Sequence, residues 1–200
     1  MANEADQVVG LYQRHAAARA SDRGERLIEG AWLDRFLALI PDRPAVLDIG
    51  CGCGVPIGRY LTQKGCAVTG VDSSPEMIAM GAARFPNQTW RMADMRTLSL
   101  GQRFAGLLAW DSFFHLSHDD QRRMFAVFRG HAAPGAALMF TSGPAHGVAI
   151  GTYAGEPLHH ASLAPEEYRT LFAEHGFIEK AHVVEDPACG RRTVWLAQLQ

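Results

Sequence analysis

An α/β fold, with one mostly parallel sheet and helices on both faces, is what this 200-residue sequence predicts. Three observations predict it. Short apolar runs alternate with helix-patterned segments between residues 45 and 142, and parallel neighbours need such crossover connections. The run Val46-Leu47-Asp48-Ile49 ends in Gly50-Cys51-Gly52-Cys53-Gly54, a bend with glycine at alternate positions. Glycine lets a backbone turn sharply and come close to a ligand. The next strand ends in an acid, Gly70-Val71-Asp72, placed to accept hydrogen bonds from a ribose diol. Bend and acid together read as the nucleoside-binding half of an open sheet.

The elements follow in order. Residues 4–40 read as helical, with Val8, Leu11 and Tyr12 opening the segment and Leu27, Ala31, Trp32, Phe36 and Leu39 at helical spacing. A break near Ser21-Asp22 has the composition of an N-cap, and Pro41 to Pro44 close the segment as a turn. These helices should pack at the sheet edge and lie over the ligand cleft. Strands are expected at 45–50, 66–72, 88–92, 104–110 and 136–142, with helices at 55–64, from Pro75 onward and at 118–131. The helix at 55–64 should aim its amide-rich N-terminus at an anionic group. Ser74 caps the second helix, with Pro75 at its first position and Glu76 in its first turn. Ser117 caps the third, with Asp119 and Asp120 in its first turn.

Residues 143–163 break the rhythm with four glycines, two prolines and three histidines (His146, His159, His160), and read as a lid or substrate loop. A helix then starts at Pro165 and stops before Gly176, with Ala164 where a Ser or Asp cap would normally stand. Residues 177–185 and 192–199 alternate as strands around the turn Asp186-Pro187-Ala188-Cys189-Gly190, an antiparallel hairpin that brings the strands to seven. One domain over 1–200 is the natural organisation: helices at 1–43, a cofactor-binding core at 44–142, the lid at 143–163, and a helix with closing hairpin at 164–200.

Composition excludes several classes. A net charge of −2, with basic residues at most in pairs, argues against nucleic acid as partner. No apolar run approaches the length of a membrane span, and the acidic N-terminus lacks an apolar signal core, so a cytoplasmic protein is expected. The four cysteines make no disulfide framework, and Cys51-x-Cys53 is too short for the usual zinc pairing, so they read as small fillers beside the ligand. His146, His159 and His160 share no ligand-like spacing with a carboxylate, so no metal site is expected.

The glycine spacing narrows the ligand. Counting from Gly50 or from Gly52, the sixth position of a dinucleotide fingerprint falls on Val55 or Ile57 rather than on glycine, and no phosphate-cradling Gly-Lys-Ser/Thr ending is present. At this point the chain resembles the class I S-adenosylmethionine-dependent methyltransferases, whose first motif reads Val-Leu-Asp-Ile-Gly-Cys-Gly-x-Gly. The resemblance covers residues 44–142 and implies a Rossmann-like, seven-stranded sheet and S-adenosylmethionine as cofactor. It implies that Gly50, Cys51, Gly52 and Gly54 cradle the cofactor, that Asp72 with Ser73 holds the ribose, and that Asp94 takes the adenine amino group while Met95 covers the ring. Asp48 either organises the loop amides or reaches the aminoacyl end of the cofactor through water. Trp110 packs at the strand end or against adenine. Tyr12 and Arg14, on the first helix, would cover the cofactor and pair with its carboxylate.

Asp111 and His115 follow the fourth strand, at the carboxyl edge where open sheets bind ligands, and are the candidate catalytic groups, with His115 as general base. Phe114, Tyr153 and His159 are candidate substrate contacts, and the aromatic content there points to a small-molecule acceptor. The expected activity is methyl transfer to O, N or S of that acceptor by a monomer or homodimer. The rivals are a cofactor-binding protein without transfer activity, a nicotinamide-dependent oxidoreductase, and a metalloid methyltransferase using Cys51 and Cys53. The Asn-Pro-Pro-Tyr-type signature of amino-group methyltransferases is replaced by Trp110-Asp111-Ser112-Phe113.

Overall fold

The computed structural model describes residues 4–200. Three helices lead: α1 (Glu4–Arg14), α2 (Ala16–Arg23) and α3 (Gly30–Leu37). Ser21 and Asp22, expected at a helix start, lie inside α2, which instead stops at Gly24, whose φ of +60° suits glycine. The alternating region follows as β1 (Ala45–Ile49), α4 (Ile57–Gln63), β2 (Ala67–Asp72), α5 (Pro75–Arg84), β3 (Thr89–Met92), β4 (Phe104–Ala109), α6 (His118–His131) and β5 (Ala132–Ser142). Then come β6 (Gly147–Tyr153), β7 (Glu156–Ser162), α7 (Pro165–Glu174), β8 (Phe177–Asp186) and β9 (Arg192–Leu199). The caps are as read from the sequence. Ser74 Oγ accepts from Met77 N and Ser117 Oγ from Asp120 N, while Ala164 offers α7 no side-chain bond.

Seven strands form one sheet in the order β3-β2-β1-β4-β5-β9-β8. All neighbours from β3 to β5 run parallel, and β9 is antiparallel to both β5 and β8. Alternate residues of the central strands feed opposite faces, as the pleat requires. Leu47, Leu107 and Leu138 join Phe113, Phe125 and Phe140 in one core. Val46, Leu108 and Met139 join Trp32, Phe36 and Leu61 in the other. The segment 143–163 is not the irregular loop expected. Here β6 and β7 pair antiparallel from Gly147–Ser162 to Tyr153–Glu156 as a separate two-stranded ribbon. Its glycines hid the alternation of Val148, Ile150 and Thr152, which is a strand signal. Among the described residues no helix is long and apolar enough to cross a membrane.

Candidate functional site

The chain leaves β3 at one edge and re-enters the sheet at β4, on the far side of β1, so the strand order reverses between β1 and β4. Ligands of open α/β sheets bind in the crevice at such a switch point. The glycine bend crosses it. Gly50 N and Cys51 N both donate to Val71 O (2.7 and 3.0 Å), which pins the bend to the end of β2. Gly50 has a φ of +76°, and a Cβ there would lie 2.3 Å from Ser112 Cβ, so only glycine lets the bend close on the segment after β4. Ser112 Oγ locks that segment by donating to Ile49 O at 2.7 Å.

Asp72 ends β2 at the mouth of this bend. Its Oδ2 accepts from Gly52 N and its Oδ1 from Ser74 N, both at 2.9 Å, so each oxygen is oriented by one amide and keeps a lone pair for a ligand. Burial raises its carboxyl above the ordinary range. Asp48 is 3% exposed; burial first, then the charges of Asp72 and Glu29, push its carboxyl up to about 7. Both acids line one cleft with Gly50, Cys51, Gly52 and Ser73. The Cys51 thiol donates to Gly52 O at 3.3 Å, and burial drives its pKa up, so it is an inert filler rather than a nucleophile.

Asp94, Met95 and Trp110 line the same cleft, as read from the sequence. Both Asp94 oxygens are engaged by the Arg96 guanidinium, at 2.6 Å for Nη2 on Oδ2 and 3.1 Å for Nε on Oδ1. Gly54 lies where the bend backs onto the Trp90 ring. Its φ is +74°, and a Cβ would meet the Trp90 ring at 2.3 Å, so its glycine serves packing behind the bend.

The first two helices roof the cleft, and Gln13 Nε2 ties α1 to the end of β2 by donating to Ser73 O at 3.1 Å. Tyr12 lines the cleft, but Arg14 does not. It points outward and pairs with Glu156 on the ribbon. Of the arginines on these two helices, Arg19 and Arg23 line the cleft. Their spacing of seven and then four from Tyr12 was the helical signal that sequence reading passed over. Arg23 is held from behind by the fully buried Glu29.

His115 sits under the roof. Its Nδ1 lies 2.9 Å from His159 O and its Nε2 2.8 Å from Tyr12 Oη. The carbonyl can only accept, so Nδ1 carries the proton and Tyr12 donates its own to Nε2. Burial drives His115 down to about 3 and Tyr12 up to about 12. Both stay neutral near pH 7, which corrects the reading of His115 as a general base with a pKa near working pH.

An outer cavity adjoins the cleft, and Tyr12, Arg19, Asp111 and His115 line both. Asp111 is also not a free base. Arg192 of β9 grips it from both sides, Nε on Oδ1 at 2.9 Å and Nη2 on Oδ2 at 2.7 Å. Asp111, Glu185 and Arg191, three left-handed non-glycine residues, all face this cavity (φ +49°, +46° and +57°). Such backbone strain concentrates at functional sites. Phe114 and Tyr153 line the cavity. His159 does not: in β7 neighbouring side chains point opposite ways, so His159 turns inward and His160 lines the wall, 5.2 Å from Phe114. His146 stacks instead on His118 (4.5 Å).

Fold and cleft thus define an open α/β domain with a cleft at its switch point and a second cavity opening on it. Residues 46–135 match the family described as a methyltransferase domain. It is 33% identical over 78 residues to the dTDP-3-amino-3,6-dideoxy-alpha-D-glucopyranose N,N-dimethyltransferase of Streptomyces fradiae, covering 38% of this chain and 30% of that one. It is 28% identical over 127 residues to the dTDP-4-amino-2,3,4,6-tetradeoxy-D-glucose N,N-dimethyltransferase of Saccharopolyspora spinosa, covering 62% and 50%. The matches therefore span at most half the length of these curated relatives. The fold is shared with the S-adenosylmethionine-bound amino pentose methyltransferase of Micromonospora echinaspora, with a TM-score of 0.71 at 23% identity, over 94% of this chain and 96% of that one.

Proposed function

We propose that this chain transfers a methyl group from S-adenosylmethionine to an O, N or S atom of a small-molecule acceptor. The observation that carries the reading is the Asp72 carboxylate, aimed by the amides of Gly52 and Ser74 into a cleft that opens on a second cavity. The residues fit the cofactor: a side chain at position 50 would occupy the space where the bend closes. Asp72 would hold the ribose hydroxyls, Asp94 the adenine amino group, and Met95 would cover the ring. When bound, the cofactor supplies an electrophilic methyl whose departing thioether needs no proton.

The chain's own work is alignment and exclusion of water, and alignment alone can contribute about 7–11 kcal/mol. Tyr12 gives its proton to His115, so its oxygen faces the cavity as an acceptor for an N–H or O–H of the acceptor molecule and turns the nucleophile's lone pair toward the cleft. With His115 held near 3, the proton of an amine leaves to solvent rather than to the imidazole. The amino-sugar methyltransferases among the relatives favour an amine as acceptor.

We read residues 1–200 as a single domain acting as a monomer or homodimer in the cytoplasm; the net charge of −2 and the four free cysteines support a small-molecule partner and a reducing compartment. Calorimetry with S-adenosylhomocysteine tests the cofactor assignment. The wild type binds it and not NAD, and Asp72→Ala abolishes binding. An affinity unchanged in that variant refutes the ribose assignment. Failure to methylate any amine or hydroxyl acceptor in a broad panel would favour a binding protein without transfer activity.

A further inference from the structure

Arginines line the two joined cavities at five places, and four of them are neutralised. Arg23 pairs with Glu29, Arg96 with Asp94, Arg191 with Glu185, and Arg192 with Asp111. Arg19 is the exception: no carboxylate lies within ion-pair distance of it among the described residues. It is half-buried, and its guanidinium carbon stands 5.7 Å above the Tyr12 ring. Tyr12 is itself fixed by its bond to His115, so the cation has a firm seat. A partly desolvated guanidinium without a partner is costly, and an oxyanion is the group that relieves it.

The position says which molecule brings that oxyanion. Arg19 lines both cavities, and the Tyr12 ring that it covers lies 6.2 Å from the ring of Tyr153, which lines the outer cavity. The remaining wall gives the body of the ligand. Phe114 and His160 stand 5.2 Å apart, with His115 4.7 and 4.9 Å from them, a wall of three rings tilted 39–64° to one another. Burial holds both imidazoles below their ordinary pKa, so they add no competing charge near pH 7.

We propose that Arg19 selects the acceptor, and that the acceptor is a flat or ring-shaped molecule bearing a carboxylate or phosphate close to the atom that receives the methyl. This rests on reading the adjoining cleft as the cofactor site. The guanidinium would take the oxyanion, the Phe114–His160 wall the ring, and Tyr12 the nucleophile.

The test uses the full chain saturated with S-adenosylhomocysteine and titrated with benzoate, phenyl phosphate and benzamide, the last a neutral isostere of benzoate. The wild type should bind one of the two anions roughly tenfold or more tightly than benzamide, and the better anion tells carboxylate from phosphate. Arg19→Met, which keeps the aliphatic stem, should lose the preference, Arg19→Lys should restore part of it, and both should keep the wild-type affinity for S-adenosylhomocysteine and the wild-type melting temperature. Equal binding of benzoate, phenyl phosphate and benzamide by the wild type, or an unchanged preference in Arg19→Met, overturns the proposal. So does a loss of S-adenosylhomocysteine affinity in Arg19→Met with 5′-methylthioadenosine affinity intact, which would give Arg19 to the cofactor's own carboxylate. If the wild type binds neither nucleoside, the cofactor reading has failed instead.

Discussion

Asp48→Asn should stabilise the ligand-free protein, by an amount that grows with pH. The Asp48 carboxyl is buried at the end of β1 and raised from an ordinary 3.8 to about 7, first by burial and then by Asp72 and Glu29. Between those values the folded chain keeps a proton that the unfolded chain gives up. Stability therefore falls as pH rises from about 4 to about 7 and is level above that. Holding the carboxyl that far up corresponds to about 4 kcal/mol, a large part of a typical domain's stability. Asparagine has no proton to lose and nearly the same shape. Urea unfolding at a series of pH values gives the difference between variant and wild type, in which every other titrating group largely cancels. That difference should grow by roughly 1.4 kcal/mol per pH unit up to about pH 7 and then flatten. Parallel profiles for the two proteins at all pH values would refute the reasoning and show that Asp48 is ordinarily ionised in the fold.

Two further outcomes follow from the geometry. His115 behaves with the opposite sign: its folded pKa of about 3 lies below the ordinary 6.5, so its stabilising contribution is complete above 6.5 and is lost as pH falls toward 3. In acid unfolding the wild type should lose up to about 5 kcal/mol relative to His115→Gln across that window, and equal acid sensitivity contradicts the buried neutral imidazole. Gly54→Ala must accept both a left-handed backbone and a Cβ 2.3 Å from the Trp90 ring, whereas Gly52→Ala meets nothing nearer than Met77 Sδ at 4.0 Å. The first should cost about 2–4 kcal/mol and the second only the backbone part of that, about 1–2 kcal/mol, both read from urea midpoints. A larger loss at Gly52 than at Gly54 would reverse the assignment of which glycine serves packing.

The candidate site was legible where its residues are close in sequence. Asp48, the glycine bend and Asp72 sit at strand ends, and strand ends are visible as apolar runs meeting glycine or acid. Asp94, Met95 and Trp110 follow strands in the same way and all reach the cleft. The errors fell where the decision is made by partners far along the chain. Arg14 is drawn away by Glu156, Asp111 is clamped by Arg192, and His115 is shut between Tyr12 and the carbonyl of His159. None of those partners lies near in sequence, and composition says nothing about them. His159 and His160 differ only by the pleat of a strand that glycine-rich surroundings concealed.

What the sequence alone determined is the layered α/β architecture, the seven strands of its sheet, the caps at Ser74 and Ser117, and the glycine bend after β1. These depend on periodicity, glycine and local hydrogen bonds, each expressed within a few residues. Only the tertiary structure decided protonation, ion pairing and the joining of two cavities beneath the first two helices. Desolvation and Coulomb energies are set by which groups are buried against each other, and folding brings those together from opposite ends of the chain.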